Sequence, residues 1–184
     1  MRTLSIAMGM TLCALSASPS AGSVLIIEDG LAATCFMSAS SKRNNWTAIE
    51  ECSSALDHEL MTQDDRVATL VNRGTLRMRA GDLQNASRDF DRALSMDPME
   101  PETWLAKSIS ALESGNGNVA LQSSNRALDL QTHRPAIAYY VRGLAREMTG
   151  DVEGAYADLV RARDLNPQWS DPAHQLTRYK VVRR

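Results

Sequence analysis

The stretch GDLQNASRDFDRAL, residues 81–94, decides the fold of this chain. A glycine followed by Asp82 is typical of a helix end beside a new helix start, because glycine adopts the left-handed backbone and the aspartate can cap the next helix. After this turn, small and apolar residues recur at the spacing of one helical face: Leu83, Ala86, Phe90, Ala93 and Leu94. The stretch therefore predicts a tight turn followed by an amphipathic helix.

The same pattern recurs along the chain. Gly81, Gly115 and Gly150 stand 34 and 35 residues apart. Alanines follow each glycine in the same register: Ala86 and Ala93, Ala120 and Ala127, Ala155 and Ala162. Before each glycine a large residue precedes a small one by four positions: Leu70 and Gly74, Trp104 and Ser108, Tyr139 and Gly143. Small residues let two helices approach closely, so the period predicts three pairs of interlocking antiparallel helices.

These positions resemble the tetratricopeptide repeat, in an exported, bacterial type of protein. The first unit matches the pattern at Leu70, Gly74, Gly81, Ala86, Phe90, Ala93, Leu94 and Pro98, and the third at Tyr139, Gly143, Gly150, Ala155, Leu159, Ala162 and Pro167. The second unit departs at Gly117 and Ser124 and is expected to pack least well. The resemblance implies an all-α, right-handed solenoid with a concave binding groove and no enzymatic activity.

The flanking sequence extends this plan to four segments. We predict a signal peptide over residues 1–22, a degenerate helical hairpin over 23–65, three repeat units over 66–167 and a capping helix over 168–184. Ser170, Asp171 and Pro172 form the start expected of the last helix, and Leu176, Tyr179 and Val182 form its apolar stripe. Polar terminal helices of this kind close a solenoid.

The first residues have the composition of an export signal. Arg2 precedes an apolar run over residues 4–15 and small residues over 16–23, which predicts cleavage between Ser18 and Ser23. The run is shorter than the roughly 20 residues that a membrane-spanning helix requires. We therefore expect an exported protein, periplasmic or secreted, with no integral membrane segment after the signal is removed.

Two cysteines remain once Cys13 is removed with the signal. Cys35 and Cys52 lie at equal distances from the turn predicted at Arg43 and Asn44, and an even number of cysteines in an exported chain favours a disulfide. The alternative is a pair of buried free thiols.

No constellation of residues predicts catalysis, a cofactor or a metal site. The histidines His58, His133 and His174 fall in unrelated elements, without a cysteine or acid at ligand spacing. The formal net charge of -2 gives no field that would attract nucleic acid. Arg73 and Arg142 recur beside the small packing sites, and their side chains are interpreted either as stems that pack across a neighbouring helix or as functional groups.

By the resemblance, the first helix of each unit lines the groove. Its predicted partner-binding residues are Val71, Asn72, Thr75, Met78, Leu105, Tyr140, Leu144 and Met148, with Tyr140 as the aromatic anchor. Some members of the family hold a peptide's terminal carboxylate there with Lys and Asn. Glu102, Leu105 and Val141 stand at places where that mode needs other groups, so it is not expected here.

Three functions remain open from the sequence. The preferred hypothesis is an extracytoplasmic module that binds a protein or peptide in the groove. The second is a structural or assembly subunit of a cell-envelope complex, in which self-association is possible. The third is an enzyme or a small-molecule binder with an unrecognised site.

Overall fold

The computed structural model describes residues 30–41 and 46–180, in which all regular structure is helical. The predicted signal peptide, the turn at Arg43 and Asn44, and Val182 lie outside these ranges. The helices are α1 Leu31–Ser40, α2 Trp46–His58, α3 Gln63–Arg79, α4 Leu83–Met96, α5 Pro101–Glu113, α6 Gly117–Asp129, α7 Pro135–Thr149, α8 Val152–Leu165 and α9 Ser170–Leu176. In the two described ranges, no helix has the length and apolar character needed to cross a membrane.

The helices pair in chain order and form two layers. Each helix packs on the next, and α1 also contacts α3, α3 contacts α5, and α5 contacts α7. No pair of second helices is in comparable contact within the described part of the chain. The first helices therefore converge on one face while the second helices spread apart on the other, as on the inner and outer sides of a curved solenoid.

The turns between paired helices follow the sequence prediction. Gly81 and Gly150 have φ angles of 81° and 92°, in the left-handed region that favours glycine. Asp82 and Asp151 each accept a hydrogen bond from the backbone amide three residues further on. At both turns a glycine in the left-handed conformation is followed by an aspartate that caps the next helix, so adjacent residues in the sequence are enough to form the turn.

Close approach between helices explains the small residues. Phe90 is fully buried, and a Cβ atom at Gly74 would lie 2.7 Å from its ring. Gly117 is one of the positions where the second unit departs from the repeat pattern. Close approach explains this glycine too, because a Cβ atom there would lie 2.9 Å from Cβ of Met148. The buried Ser124 hydroxyl donates to the carbonyl of Ala120 at 2.7 Å, so its polarity is satisfied within α6.

Arg73 and Arg142 form ion pairs with buried aspartates of the adjoining helix, a role that the sequence interpretations did not include. Arg73 donates to both carboxylate oxygens of Asp89, at 2.9 and 2.7 Å, and Arg77 donates to the same carboxylate at 2.6 Å. The third unit repeats this arrangement, with Asp158 between Arg142 at 2.7 Å and Arg146 at 2.9 Å. Each network joins the two helices of one unit.

Two element boundaries differ from the prediction. The first repeat begins at Gln63 rather than at residue 66, because Thr62 and Asp65 form a reciprocal capping box at the start of α3. The last helix ends at Leu176, so Tyr179 lies beyond it. Trp169 precedes Ser170 at its start and makes no side-chain cap.

The predicted disulfide joins α1 to α2. Cys35 and Cys52 are bonded, with their Cα atoms 4.8 Å apart, and both side chains are fully buried. Thus α1, which is only 10 residues long, is fastened covalently to the rest of the fold.

Candidate binding cleft

One position of each first helix defines the inner face of the solenoid. Phe36, Val71, Leu105 and Tyr140 stand 35, 34 and 35 residues apart, so they occupy the same place in four successive units. Phe36 is 58% exposed, Val71 and Tyr140 are half-buried, and Leu105 is 0% exposed. The inner face is therefore most open at its N-terminal end.

The prediction that Leu105 lines an open groove is wrong. Its side chain packs in a core cluster with Ala127 of α6 and Ala138 of α7. Because both neighbours are alanines, the adjoining helices come close enough to enclose it. Leu105 stabilises the second unit and offers no surface to a partner.

An apolar cleft opens between α1 and α3. It has a volume of about 510 Å³, and an adjoining hollow of about 440 Å³ extends it towards α5. The two hollows share the residues Phe36, Asp64, Ala68 and Asn72. Val71 lines the second hollow, so two of the predicted groove residues, Val71 and Asn72, lie in this cleft.

Carboxylates surround the cleft. They are Asp64, Asp65, Asp97, Glu100 and Glu102, and no Lys or Arg is among the described residues that line either hollow. Asp64 and Glu100 form no ion pair within the described ranges. The cleft therefore combines an apolar floor with a negative rim.

Glu102 is the carboxylate whose charge is already compensated. Its Oε2 atom accepts from Arg134 at 2.7 Å, and its Oε1 atom accepts from the Thr132 hydroxyl and the His133 amide. Partial burial alone would raise the pKa of the Glu102 carboxyl, but the hydrogen bonds outweigh it and lower that pKa below its usual value. These contacts also fix the turn at Thr132, which lacks the proline of the other units.

Two polar atoms on the wall of the cleft have no partner. Asp65 Oδ1 and Thr103 Oγ1 are buried, and neither forms a hydrogen bond within the described part of the chain. The other carboxylate oxygen of Asp65 accepts from the Thr62 hydroxyl at 2.7 Å. Buried polar atoms are usually paired, so these two are exceptions, but they are too enclosed to be reached from the cleft.

The remaining predicted groove residues lie elsewhere. Leu144 and Met148 line a separate hollow of about 490 Å³ with Leu112, Glu147 and Arg178. Arg178 and Tyr179 both donate to Glu147, which ties the segment that follows α9 to α7. The Thr75 hydroxyl donates to the carbonyl of Val71, and Met78 packs beside Phe90 in a core cluster. The structure therefore does not bring the eight predicted residues into one site.

Tyr140 is partly covered by the C-terminal segment. Its ring lies 4.7 Å from that of Trp169, measured between centroids, and the planes are inclined at 56°. Its hydroxyl forms a hydrogen bond with Gln175, and burial raises its pKa above the ordinary value. The role of Tyr140 as a partner anchor stays a prediction, but one side of its ring already has an aromatic neighbour.

The sequence analysis missed Phe36, Asp64 and Glu100. The 35-residue interval from Val71 back to Phe36 is the signal that could have found the first of them. The two acids stand at helix starts, where carboxylates are common for reasons of helix stability, so their place in the cleft gave no separate signal.

Solved structures share this architecture. MamA from Desulfovibrio magneticus RS-1 superposes with a TM-score of 0.68 at 20% identity, covering 80% of this chain and 82% of that one. The first tetratricopeptide domain of Spaghetti (RPAP3), bound to the HSP90 peptide SRMEEVD, gives 0.58 at 22% identity, over 61% and 89%. The chain has the tetratricopeptide-repeat fold. The tetratricopeptide architecture implied by the resemblance is thus confirmed.

Sequence comparison gives relatives that match part of this chain. The mouse FK506-binding protein-like protein is 32% identical over 123 residues, which cover 62% of this chain and 33% of that protein. The human protein of that name is 31% identical over 121 residues, covering 61% and 33%. The chain thus spans about a third of the length of the curated relatives it matches. No protein-family model matches the chain.

The described residues form no candidate metal centre. Among residues 30–41 and 46–180, no three metal-ligating side chains come together. What the cleft does offer is an exposed aromatic ring, an apolar floor and unpaired acceptors.

Proposed function

We propose that this chain is an extracytoplasmic protein-interaction module that binds a segment of a partner protein in the cleft between α1, α3 and α5. The observation that supports it best is Phe36, a large aromatic side chain that is 58% exposed at the edge of an apolar hollow. Rigid aromatic residues commonly dominate the free energy of protein interfaces. No residue of the described chain covers this ring as Trp169 covers that of Tyr140.

The dimensions of the cleft suit a peptide. A volume of about 510 Å³ is within the range for binding sites, and the adjoining hollow extends it across three inner helices. The inner helices are held by packing, and α1 is fastened by the Cys35–Cys52 disulfide. A preorganised surface loses little conformational entropy on binding, so this arrangement favours a stable complex.

Binding through Phe36 is tested by truncating its side chain. Phe36→Ala should lower affinity for captured partners by about tenfold, equal to about 1.4 kcal/mol, while the fold is kept because most of the ring is exposed. The measurement is a pull-down from extract of the native host, quantified by mass spectrometry. Trp46→Ala is the matched control, since this aromatic side chain is 66% exposed on α2 and lies outside the cleft. Equal loss of partners from both variants, or from neither, would contradict the proposal.

Export is the second part of the proposal and rests on the sequence of residues 1–23 and on the disulfide. Mass spectrometry of the protein isolated from its host should find a mature N-terminus between Ser18 and Ser23. Disulfides persist mainly in oxidising compartments, so the bond and the cleavage are expected together. A protein that still begins at Met1 would exclude the extracytoplasmic location but leave the binding cleft unaffected.

A further inference from the structure

The negative rim of the cleft is a local feature, because the whole chain is almost balanced, with 22 acidic and 20 basic residues. The basic side chains near the two ends of α3 are directed away from the cleft: Arg66 donates to the carbonyl of Leu56, and Arg79 donates to the carbonyl of Ala39. Arg134 is paired with Glu102 alone. The charges of Asp64, Asp65, Asp97 and Glu100 therefore have no cationic partner in the described chain.

Helix capping uses only part of the hydrogen-bonding capacity of these acids. Glu100 Oε1 accepts from the amide of Glu102 at 3.0 Å, and Asp97 Oδ1 accepts from the amide of Met99 at 2.9 Å. A carboxylate has about four acceptor sites on two oxygens, so each keeps an oxygen for another donor. Capping explains why acids stand at these positions, but it does not satisfy them.

The unpaired atoms in the cleft wall are too enclosed to contact a ligand directly. Asp65 Oδ1 can only accept a hydrogen bond, and it is buried without a donor. Thr103 Oγ1 is also unpaired, and Thr103 is only 1% exposed. A ligand that carries N–H donors would instead meet the open carboxylates of the rim, Asp64, Asp97 and Glu100, whereas a ligand carboxylate would meet like charge there.

We propose that the segment bound in this cleft is cationic and amphipathic, with Lys or Arg residues on either side of an aliphatic or aromatic residue. This rests on the proposed function and adds the chemical class of the partner. The apolar side chain packs against Phe36, Met37 and Ala68, and the basic groups lie against Asp64 and Glu100. The arrangement is opposite in charge to what the acidic peptide SRMEEVD of the Spaghetti complex would require.

Fluorescence anisotropy with two labelled peptides tests the inference on the full oxidised chain. One probe alternates arginine and leucine, and the other alternates glutamate and leucine. At an ionic strength of about 0.15 M, where exposed charges are screened beyond about 8 Å, the arginine probe should bind at least about tenfold more tightly. Phe36→Ala should weaken its binding by about tenfold.

Matched double variants separate the cleft from general attraction between opposite charges. Asp64→Asn with Glu100→Gln should lower the affinity for the arginine probe by about tenfold, because both replacements keep the shape and remove the charge. Glu50→Gln with Asp57→Asn removes the same two charges from exposed positions on α2, outside the cleft, and should change affinity by less than about twofold.

The possible contrary outcomes distinguish the two proposals. Equal loss in both double variants would mean nonspecific attraction and would overturn the inference. If the glutamate probe binds as tightly as the arginine probe and loses affinity in Phe36→Ala, the cleft binds peptides but the proposed charge class is wrong. If neither probe binds and Phe36→Ala also leaves partner capture unchanged, both proposals fail. A dimer of the wild type that Phe36→Ala dissociates would identify a second copy as the occupant and would overturn the inference.

Discussion

Replacing Asp89 with alanine is expected to lower the free energy of unfolding by about 3–5 kcal/mol. The carboxylate of Asp89 is 2% exposed and is bound by two arginines, Arg73 and Arg77. Its removal leaves the Arg73 guanidinium, itself only 9% exposed, without a counter-charge in the interior. Urea unfolding followed by circular dichroism measures the loss.

Two further acids in the same protein provide graded controls. Asp91→Ala removes a carboxylate that is 54% exposed and pairs with Lys107, so it should cost no more than about 1 kcal/mol. Asp158→Ala should fall between the two, because Arg142 and Arg146 are 18% and 26% exposed and water can solvate them more readily. An Asp89→Ala variant as stable as Asp91→Ala would show that the buried network contributes little to stability.

Loss of the disulfide is expected to lower the free energy of unfolding by about 3 kcal/mol. Cys35 and Cys52 are 17 residues apart, and closing a loop of that size restricts the unfolded chain by about this amount in the chain-entropy model. Unfolding of the Cys35→Ala, Cys52→Ala double variant against the oxidised wild type gives the difference. Thiol titration of the unfolded, unreduced mature protein should find no free thiol.

The effect should be concentrated in the first helix pair. Because α1 is only 10 residues long and the bond at Cys35 fastens it, the double variant should lose protection from hydrogen exchange in α1 earlier than in α3 to α8. The wild type after reduction serves as control, since it keeps both sulfur atoms and should behave like the variant. If reduction changes neither stability nor exchange, packing alone holds α1 in place and the predicted contribution of the bond is wrong.

Features that depend on residues close together in the chain were determined by the sequence itself. The pattern of small residues around Gly81, Gly115 and Gly150 predicted three repeats, because each helix pair needs the same small residues where it interlocks. The turns at Gly81 and Gly150 followed from glycine and aspartate in adjacent positions, which act locally. The disulfide could be predicted because its cysteines lie on either side of one turn. Even the ion pairs left a signal, since both Arg73 and Arg142 have an aspartate 16 residues later, but Lys107 and Ser123 interrupt the pattern in the second unit.

Only the tertiary structure decided which equivalent positions are open. The same position of four successive units is occupied by Phe36, Val71, Leu105 and Tyr140. Leu105 is enclosed by α6 and α7. Phe36 lies on α1, and no helix precedes α1 in the described chain. Exposure depends on which helices pack on either side, and a repeat pattern is the same at the middle and the ends of a solenoid. The acidic cleft has the same origin. Asp64 and Glu100 are 36 residues apart in the sequence, and they share one hollow only because α3 and α5 begin side by side.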